Sequence, residues 1–436
     1  MKIAIVGAGL AGLSAAYDLL ASGHEVTLFE ASSQTGGLAR GFSDARWDWP
    51  LEHFYHHIFE TDDAIIGLTK ELGIEDKLFF PTPSTSLFFD GKAHPFSNPL
   101  DWWKFPNMDP LSYVRFGVVG AFLRFTKFWR YLEKQTATTW TRRWYGQKIY
   151  DLLWKPLLIG KFGPHYQEVN MAWLWARLHV RSFKLGYYKG GFQAFINRLT
   201  DVVQERGGTL KLACAVTQIA TMQDGGLSIE ANGATYQFDK VLHTTSPDLL
   251  ARLTPELPHA YLEKLKNLKS MSAVVLTIAL RESLMTDGTY WLNLPAVSAE
   301  KSLNPVPFLA LVEHTNYVDK ANYGDDIIVY LGDYVTPDHP YMTMSQNELE
   351  EIFLDALKQF NPEFDRSWVR DSWLHRAKYA QPIPQVNHSE NIPAMQTPIP
   401  NLLMANMSQV YPWDRGTNFA VEIGRKAAQE LLATIN

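Results

Sequence analysis

Residues 2–41 read KIAIVGAGLAGLSAAYDLLASGHEVTLFEASSQTGGLARG, and this stretch decides the architecture of the chain. Lys2 to Val6 is short, β-branched and ended by glycine, which predicts a buried parallel strand. Gly7, Gly9 and Gly12 follow as G-x-G-x-x-G. Gly7 permits the tight turn, Gly9 lets the backbone approach a pyrophosphate, and Gly12 lets the next helix sit close on the strand. That helix is predicted over about Leu10 to Ala21. The free N–H groups of its first turn, at Leu10 and Ala11, and its dipole favour phosphate charge. Gly23 stops it. A second strand, Glu25 to Phe29, ends at Glu30 and Ala31, where a carboxylate can take a ribose hydroxyl. Strand, glycines, helix, strand and acid in register predict a dinucleotide-binding unit.

Gly36, Gly37, Leu38 and Arg40 follow Glu30 closely. With the preceding unit they resemble the extended FAD fingerprint of the flavoprotein superfamily of amine oxidases, protoporphyrinogen oxidases, phytoene desaturases and UDP-galactopyranose mutases. In that superfamily the Gly-Gly turn and a nearby arginine approach the flavin diphosphate. Here Arg40 stands two places later than in the commonest Gly-Gly-Arg form. The resemblance also reaches Asp239 to Pro247, where Thr245 lies in the turn closing the flavin domain, and Thr209 to Ile219, read as one strand. There Val216 takes the place of a valine that meets the adenine. At the C-terminal end Asn406 stands where an acid usually meets the ribityl chain. Gly416, Thr417 and Asn418 begin the helix that faces the flavin pyrimidine edge.

The fold class implied is α/β and α+β. A Rossmann-type FAD-binding domain with a parallel sheet is discontinuous over 1–58, 185–255 and 395–436. A substrate-binding domain of mixed sheet and helices occupies 59–184 and 256–394, with a helical segment at 100–184. FAD is the cofactor implied. There is no second G-x-G-x-x-G after a strand, so no dedicated nicotinamide domain is expected.

The bulk numbers agree with an enzyme of this size. The chain has 436 residues, 46% hydrophobic and 20% charged, enough for two or three cores. A net charge of −6 argues against a nucleic-acid partner. The single cysteine, Cys214, excludes a disulfide framework and reads as a buried thiol. No apolar run has the length of a membrane span, and the chain reads as cytoplasmic. Val118, Phe122, Phe125, Trp129 and Leu132 share one face of a helix predicted over 118–134, with Arg124, Lys127, Arg130 and Lys134 opposite. Such a helix can lie peripherally on a membrane. Packing of its apolar face into the substrate domain is the preferred reading. Oligomeric state is left open.

The candidate chemistry lies in Trp47 to His57. In the resembled superfamily a similar segment runs past the flavin ring, which makes His53, Tyr55 and His56 the candidate catalytic residues. His53, His56 and His57 also suggest a metal, but no further cluster supports one. The activity implied is dehydrogenation, by hydride transfer to flavin N5, of a largely apolar or ring-containing small molecule. The lysine of amine oxidases has only Lys269, near Ala273, as an imperfect counterpart. The alternatives are a non-redox sugar-nucleotide mutase, with Arg177, Arg181, Arg370 and Arg376 as its arginines, and a non-catalytic flavoprotein binding an apolar ligand. Tyr379 is a further pocket candidate.

Overall fold

A computed structural model describes residues 1–102, 104–180, 182 and 184–433, with backbone alone at 99 and 100. The chain opens with β1 (Lys2–Val6), α1 (Leu10–Ala21) and β2 (Glu25–Phe29), at the predicted bounds. α2 (Asp63–Glu71), β3 (Ser84–Phe89) and β4 (Lys92–Pro95) follow, the last two forming a hairpin around Asp90-Gly91. Next comes a helical layer: α3 (Pro110–Phe125), α4 (Trp129–Leu132), α5 (Ala137–Tyr145), α6 (Lys155–Phe162) and α7 (Met171–His179). The chain then returns through α8 (Gly191–Glu205), β5 (Thr209–Lys211), β6 (Val216–Thr221) and β7 (Lys240–His243). β8 (Ser270–Leu280), β9 (Thr289–Asn293), β10 (Ala310–Glu313), β11 (Ile327–Val335) and β12 (Val369–Pro382) build a second sheet. β13 (Leu402–Met404) and α9 (Thr417–Ala433) end the chain.

Two sheets organise this order. The first is parallel, β5-β2-β1-β7-β13, so its strands come from both ends and the middle of the chain. The second is mixed and seven-stranded, β12-β8-β11-β10-β9-β3-β4, antiparallel except where β9 meets β3. Side chains of the inner parallel strands β1 and β7 are buried apart from Lys2, which is why they read as apolar runs without alternation, while the edge strand β5 is only partly covered.

Gly12 and Gly424 set the helix packing of the first layer. A Cβ on Gly12 would stand 2.0 Å from the Gly7 carbonyl oxygen, and one on Gly424 would stand 2.2 Å from that of Ala11. α1 is thus pressed backbone-to-backbone between the first turn and α9.

Two expectations are corrected. The strand read over Thr209 to Ile219 is two strands in different sheets. Ala213 takes a left-handed φ of 48° between them, so β6 leaves the parallel sheet and pairs with 227–231 instead. The helix read over 118–134 is broken as well. α3 stops at an extended Thr126, whose hydroxyl accepts from the Phe128 N–H and whose carbonyl accepts from the Trp175 indole. Val118, Phe122 and Phe125 then face solvent, and Phe116, Val119 and Leu123 form the buried stripe. Among the described residues no helix is long and apolar enough to cross a membrane.

Candidate functional site

The carboxyl ends of β1 and β7 and the N-termini of α1 and α9 converge on a cleft of about 470 Å³. Open parallel sheets place ligands at this edge. Of the residues singled out from sequence, Gly7, Gly9, Leu10, Ala11, Glu30, Gly36, Gly37, Leu38, Arg40, Thr245, Asn406, Gly416 and Thr417 line the cleft. The two glycine turns face each other. The Gly36 N–H donates to the Ala8 carbonyl at 2.9 Å, and a Cβ on Gly37 (φ 59°) would stand 3.1 Å from the Gly9 Cα. The cradle is bare backbone, as a diphosphate requires.

Glu30 closes one side. Its Oε2 accepts from the Ala8 N–H at 2.8 Å, and its Oε1 accepts from the N–H and hydroxyl of Ser32, both at 2.9 Å. The carboxylate pins the first turn to the end of β2 while facing the cleft. Glu30→Ala removes these bonds at a cost of roughly 1–3 kcal/mol. The variant should therefore purify with a lower flavin-to-protein ratio than the parent, read from visible and ultraviolet absorbance. Full occupancy would remove Glu30 from the site.

Two wall atoms fit a hydroxyl-rich cofactor. The Asn406 Nδ2 and the Thr417 hydroxyl are buried with no hydrogen-bond partner among the described residues. The Asn406 Oδ1 is already taken by the Ser408 N–H at 3.0 Å and the Tyr379 hydroxyl at 3.2 Å. Asn406 therefore offers the cleft a donor where an acid would offer an acceptor. Tyr379 lines the same cleft, as do Thr244 and Ser246 beside Thr245, and Lys378 and Met407, which carry no sequence motif.

Four sequence-predicted residues stand elsewhere. Gly12 packs α1 on the first turn and does not line the cleft. Ala31 is off the wall, and Val216 leaves with β6. Asn418 turns its Oδ1 to the N–H groups of Ala64 and Ile65, so its amide caps α2.

A second cavity, of about 250 Å³, meets the cleft at His56, Arg415, Gly416 and Thr417, which line both. Its apolar walls include Phe59, Leu157, Ala176, Val180, Trp291 and Phe419. Tyr55 lines it, with its ring 4.8 Å from Trp291 and fitted over Gly332, where a Cβ would stand 2.7 Å from the ring. Burial raises the Tyr55 hydroxyl well above its usual value, so it remains a neutral donor. The His56 Nδ1 lies 2.5 Å from the Phe54 carbonyl oxygen. A carbonyl only accepts, so the proton sits on Nδ1 and Nε2 keeps the lone pair. Burial pushes His56 down to about 4. His53 is corrected: it lines neither cavity. Its ring stacks on His375 at 4.0 Å, and its Nδ1 accepts from the Arg40 Nε at 3.4 Å, which makes it a support for Arg40.

At the charged end of this cavity sequence reasoning singled out Arg177 and missed Lys161, Asp414 and Arg415. The Lys161 Nζ lies 4.8 Å from the Tyr334 ring centre and 5.9 Å from that of Trp173. Burial first, and then the neighbouring Arg177, push Lys161 well below the usual lysine value. Asp414 pairs with Arg177 at 2.5 Å and accepts from the Trp173 indole at 3.2 Å. Burial works against the Asp414 charge, but Lys161, Arg177 and Arg415 hold the carboxyl below its usual range. The one available signal was a charge standing alone in an apolar segment, as Lys161 does between Gly160 and Phe162.

The remaining candidates are not brought together. Lys269 is exposed and pairs with Glu168 at 2.8 Å, so it does not reach the cavity. Arg370 binds Asp326 at 2.6 Å, and Arg376 lines the first cleft while donating to the Tyr341 carbonyl at 2.7 Å. Arg181 lies outside the described residues.

The sequence profile of the flavin-containing amine oxidoreductases matches residues 10–432. The chain belongs to this family. It is a flavin-dependent oxidoreductase, and FAD is its cofactor; the cleft residues above are those that could hold it. The chain is 23% identical over 489 aligned residues to a protein named "Probable zeta-carotene desaturase" from Synechococcus elongatus, across 99% of this chain and 98% of that one. Among solved structures, cyclohexylamine oxidase from Brevibacterium oxydans IH-35A superposes with a TM-score of 0.73 at 16% identity, covering 100% and 99% of the two chains. A reduced UDP-galactopyranose mutase superposes with a TM-score of 0.74 at 16% identity, covering 99% and 96%. At these identities the two structures establish the fold of this flavin-dependent oxidoreductase and nothing finer.

Proposed function

We propose that the protein dehydrogenates a largely apolar or ring-containing small molecule, as a desaturase or oxidase. The observation that carries this reading is the second cavity, apolar along its walls and open to the FAD cleft at His56, Arg415, Gly416 and Thr417. FAD, when bound, supplies the hydride acceptor. The chain's part is to hold the substrate against that junction, exclude water and receive a proton. The His56 Nε2 lone pair is the acceptor placed at the cavity wall. Tyr55 and Trp291 fix the substrate by ring contact. The kinship with the desaturase relative supports the same class. The mutase alternative has less support, because of the three of its arginines that are described only Arg177 lines this cavity, and that guanidinium is paired with Asp414.

Anaerobic addition of candidate apolar and ring compounds, followed at the visible flavin band, tests the reading. Bleaching by such a compound is the expected result. A flavin that bleaches only with dithionite, and then turns over a sugar nucleotide, would replace dehydrogenation by the mutase reaction. A flavin that neither bleaches with compounds nor turns anything over would leave a binding protein. In the active enzyme, protonation of His56 should shape the acid limb of kcat/KM near pH 4, not near 6.5, because burial holds its charged form off. His56→Gln should remove that limb.

A further inference from the structure

Twelve large apolar side chains are exposed among the described residues, and eight of them fall between 111 and 144. Leu111, Val114, Val118, Phe122 and Phe125 recur at steps of three and four, so they share one face of α3. Val118 is 64% exposed and Phe125 79%. α3 does not need this face for packing, since its other apolar stripe is the buried one. Phe128, Tyr131 and Trp144 continue the patch over α4 and α5.

Charge around the patch is predominantly positive, the exception being Asp109 at the N-cap of α3, which pairs with Lys148 at 2.9 Å. Arg115, Arg124, Lys127, Arg130, Lys134, Arg142, Arg143 and Lys148 are all exposed. The one acid from 110 to 149 is Glu133, which is buried and accepts from the Ser389 and Tyr411 hydroxyls. This basic segment sits in a chain whose net charge is −6.

We propose that the outer face of α3 to α5 docks on an anionic lipid surface, with the Phe, Tyr and Trp side chains in the acyl boundary and the cations at the headgroups. A lipid surface fits better than a second copy, because two such faces together would oppose like charges, the one partly exposed acid at their edge, Asp109, being already paired with Lys148. The patch also backs onto the site. The Trp175 indole donates to the Thr126 carbonyl at 3.0 Å, and the Arg124 guanidinium donates to the Leu178 and His179 carbonyls. α7, held in this way, carries Ala176 and Arg177 into the wall of the second cavity. One helical layer therefore has the bilayer on one side and the cavity on the other. The inference concerns location and does not depend on the proposed reaction.

Flotation of the FAD-loaded protein with two vesicle types tests it: phosphatidylcholine alone, and equimolar phosphatidylcholine and phosphatidylglycerol. The protein should float with the anionic vesicles and much less with the neutral ones. Phe125→Ser with Phe128→Ser should abolish flotation. Lys127→Glu with Arg130→Glu should lower partitioning on the order of ten-fold or more, and added salt should do the same. These side chains are exposed, so flavin content and circular dichroism should match the parent. Failure to bind either vesicle would overturn the proposal. So would equal binding to both, or a concentration-dependent dimer that the Phe variants dissolve.

Discussion

Gly9→Val gives a folded protein that binds no flavin. The Gly9 backbone is extended, with φ −76°, so any side chain can adopt it. A Cβ there would meet the Gly37 Cα at 3.7 Å, an ordinary contact. The fold therefore tolerates valine. The cleft does not, because the branched methyls fill the gap between the two glycine turns, where the diphosphate must lie against bare N–H groups. Gly12 is the contrasting position. There a Cβ would stand 2.0 Å from a carbonyl oxygen, so substitution attacks the packing of α1 and not the cofactor. Thermal unfolding together with the visible spectrum separates the two effects. A yellow Gly9→Val protein would refute the placement of the diphosphate.

Lys301→Met lowers stability by about 3–5 kcal/mol, the usual cost of stranding one partner of a buried ion pair. The Lys301 Nζ lies 2.6 Å from the Asp333 Oδ1, with side-chain exposures of 7% and 0%. Asp333 sits under the site, beside Tyr55, Tyr334 and Arg415. Burial raises its carboxyl to about 6 even with Lys301 present. A raised carboxyl stabilises the fold fully below its unfolded value near 3.8, and that contribution is lost as pH rises through the folded value. Without Lys301 the folded value moves further up, so the variant continues to lose stability above about pH 6. The difference from the parent should thus be larger at about pH 8 than at about pH 5. Pairing Lys301→Met with Asp333→Leu should recover most of the loss, since the stranded charge is gone. Denaturant melts of the four proteins at both pH values measure this. Equal midpoints for parent and Lys301→Met would show that the pair carries no stability.

The first forty residues disclosed their structure because every local signal there agrees: short buried strands, glycines at forced turns, and an acid at the strand end. The C-terminal helix was legible for a similar reason, with Gly416 and Thr417 arriving at the cleft. Where apolar periodicity was the sole guide, reading failed. On α3 both stripes are apolar, so the pattern could not say which one is buried, and it ran on past the break at Thr126. Ala213 gave no warning of a left-handed turn, because alanine seldom adopts one. His53 and His56 stand three places apart, yet the partner that holds His53, His375, comes from β12. Lys161, Asp414 and Arg415 come together only through contacts between distant segments, and their residue types are normally found at surfaces.

The most direct test of the account is the visible absorption spectrum of the purified protein, reconstituted with FAD and freed of excess by gel filtration. A bound-flavin spectrum at one FAD per chain is the expected result. A colourless protein of parental fold after reconstitution would contradict it.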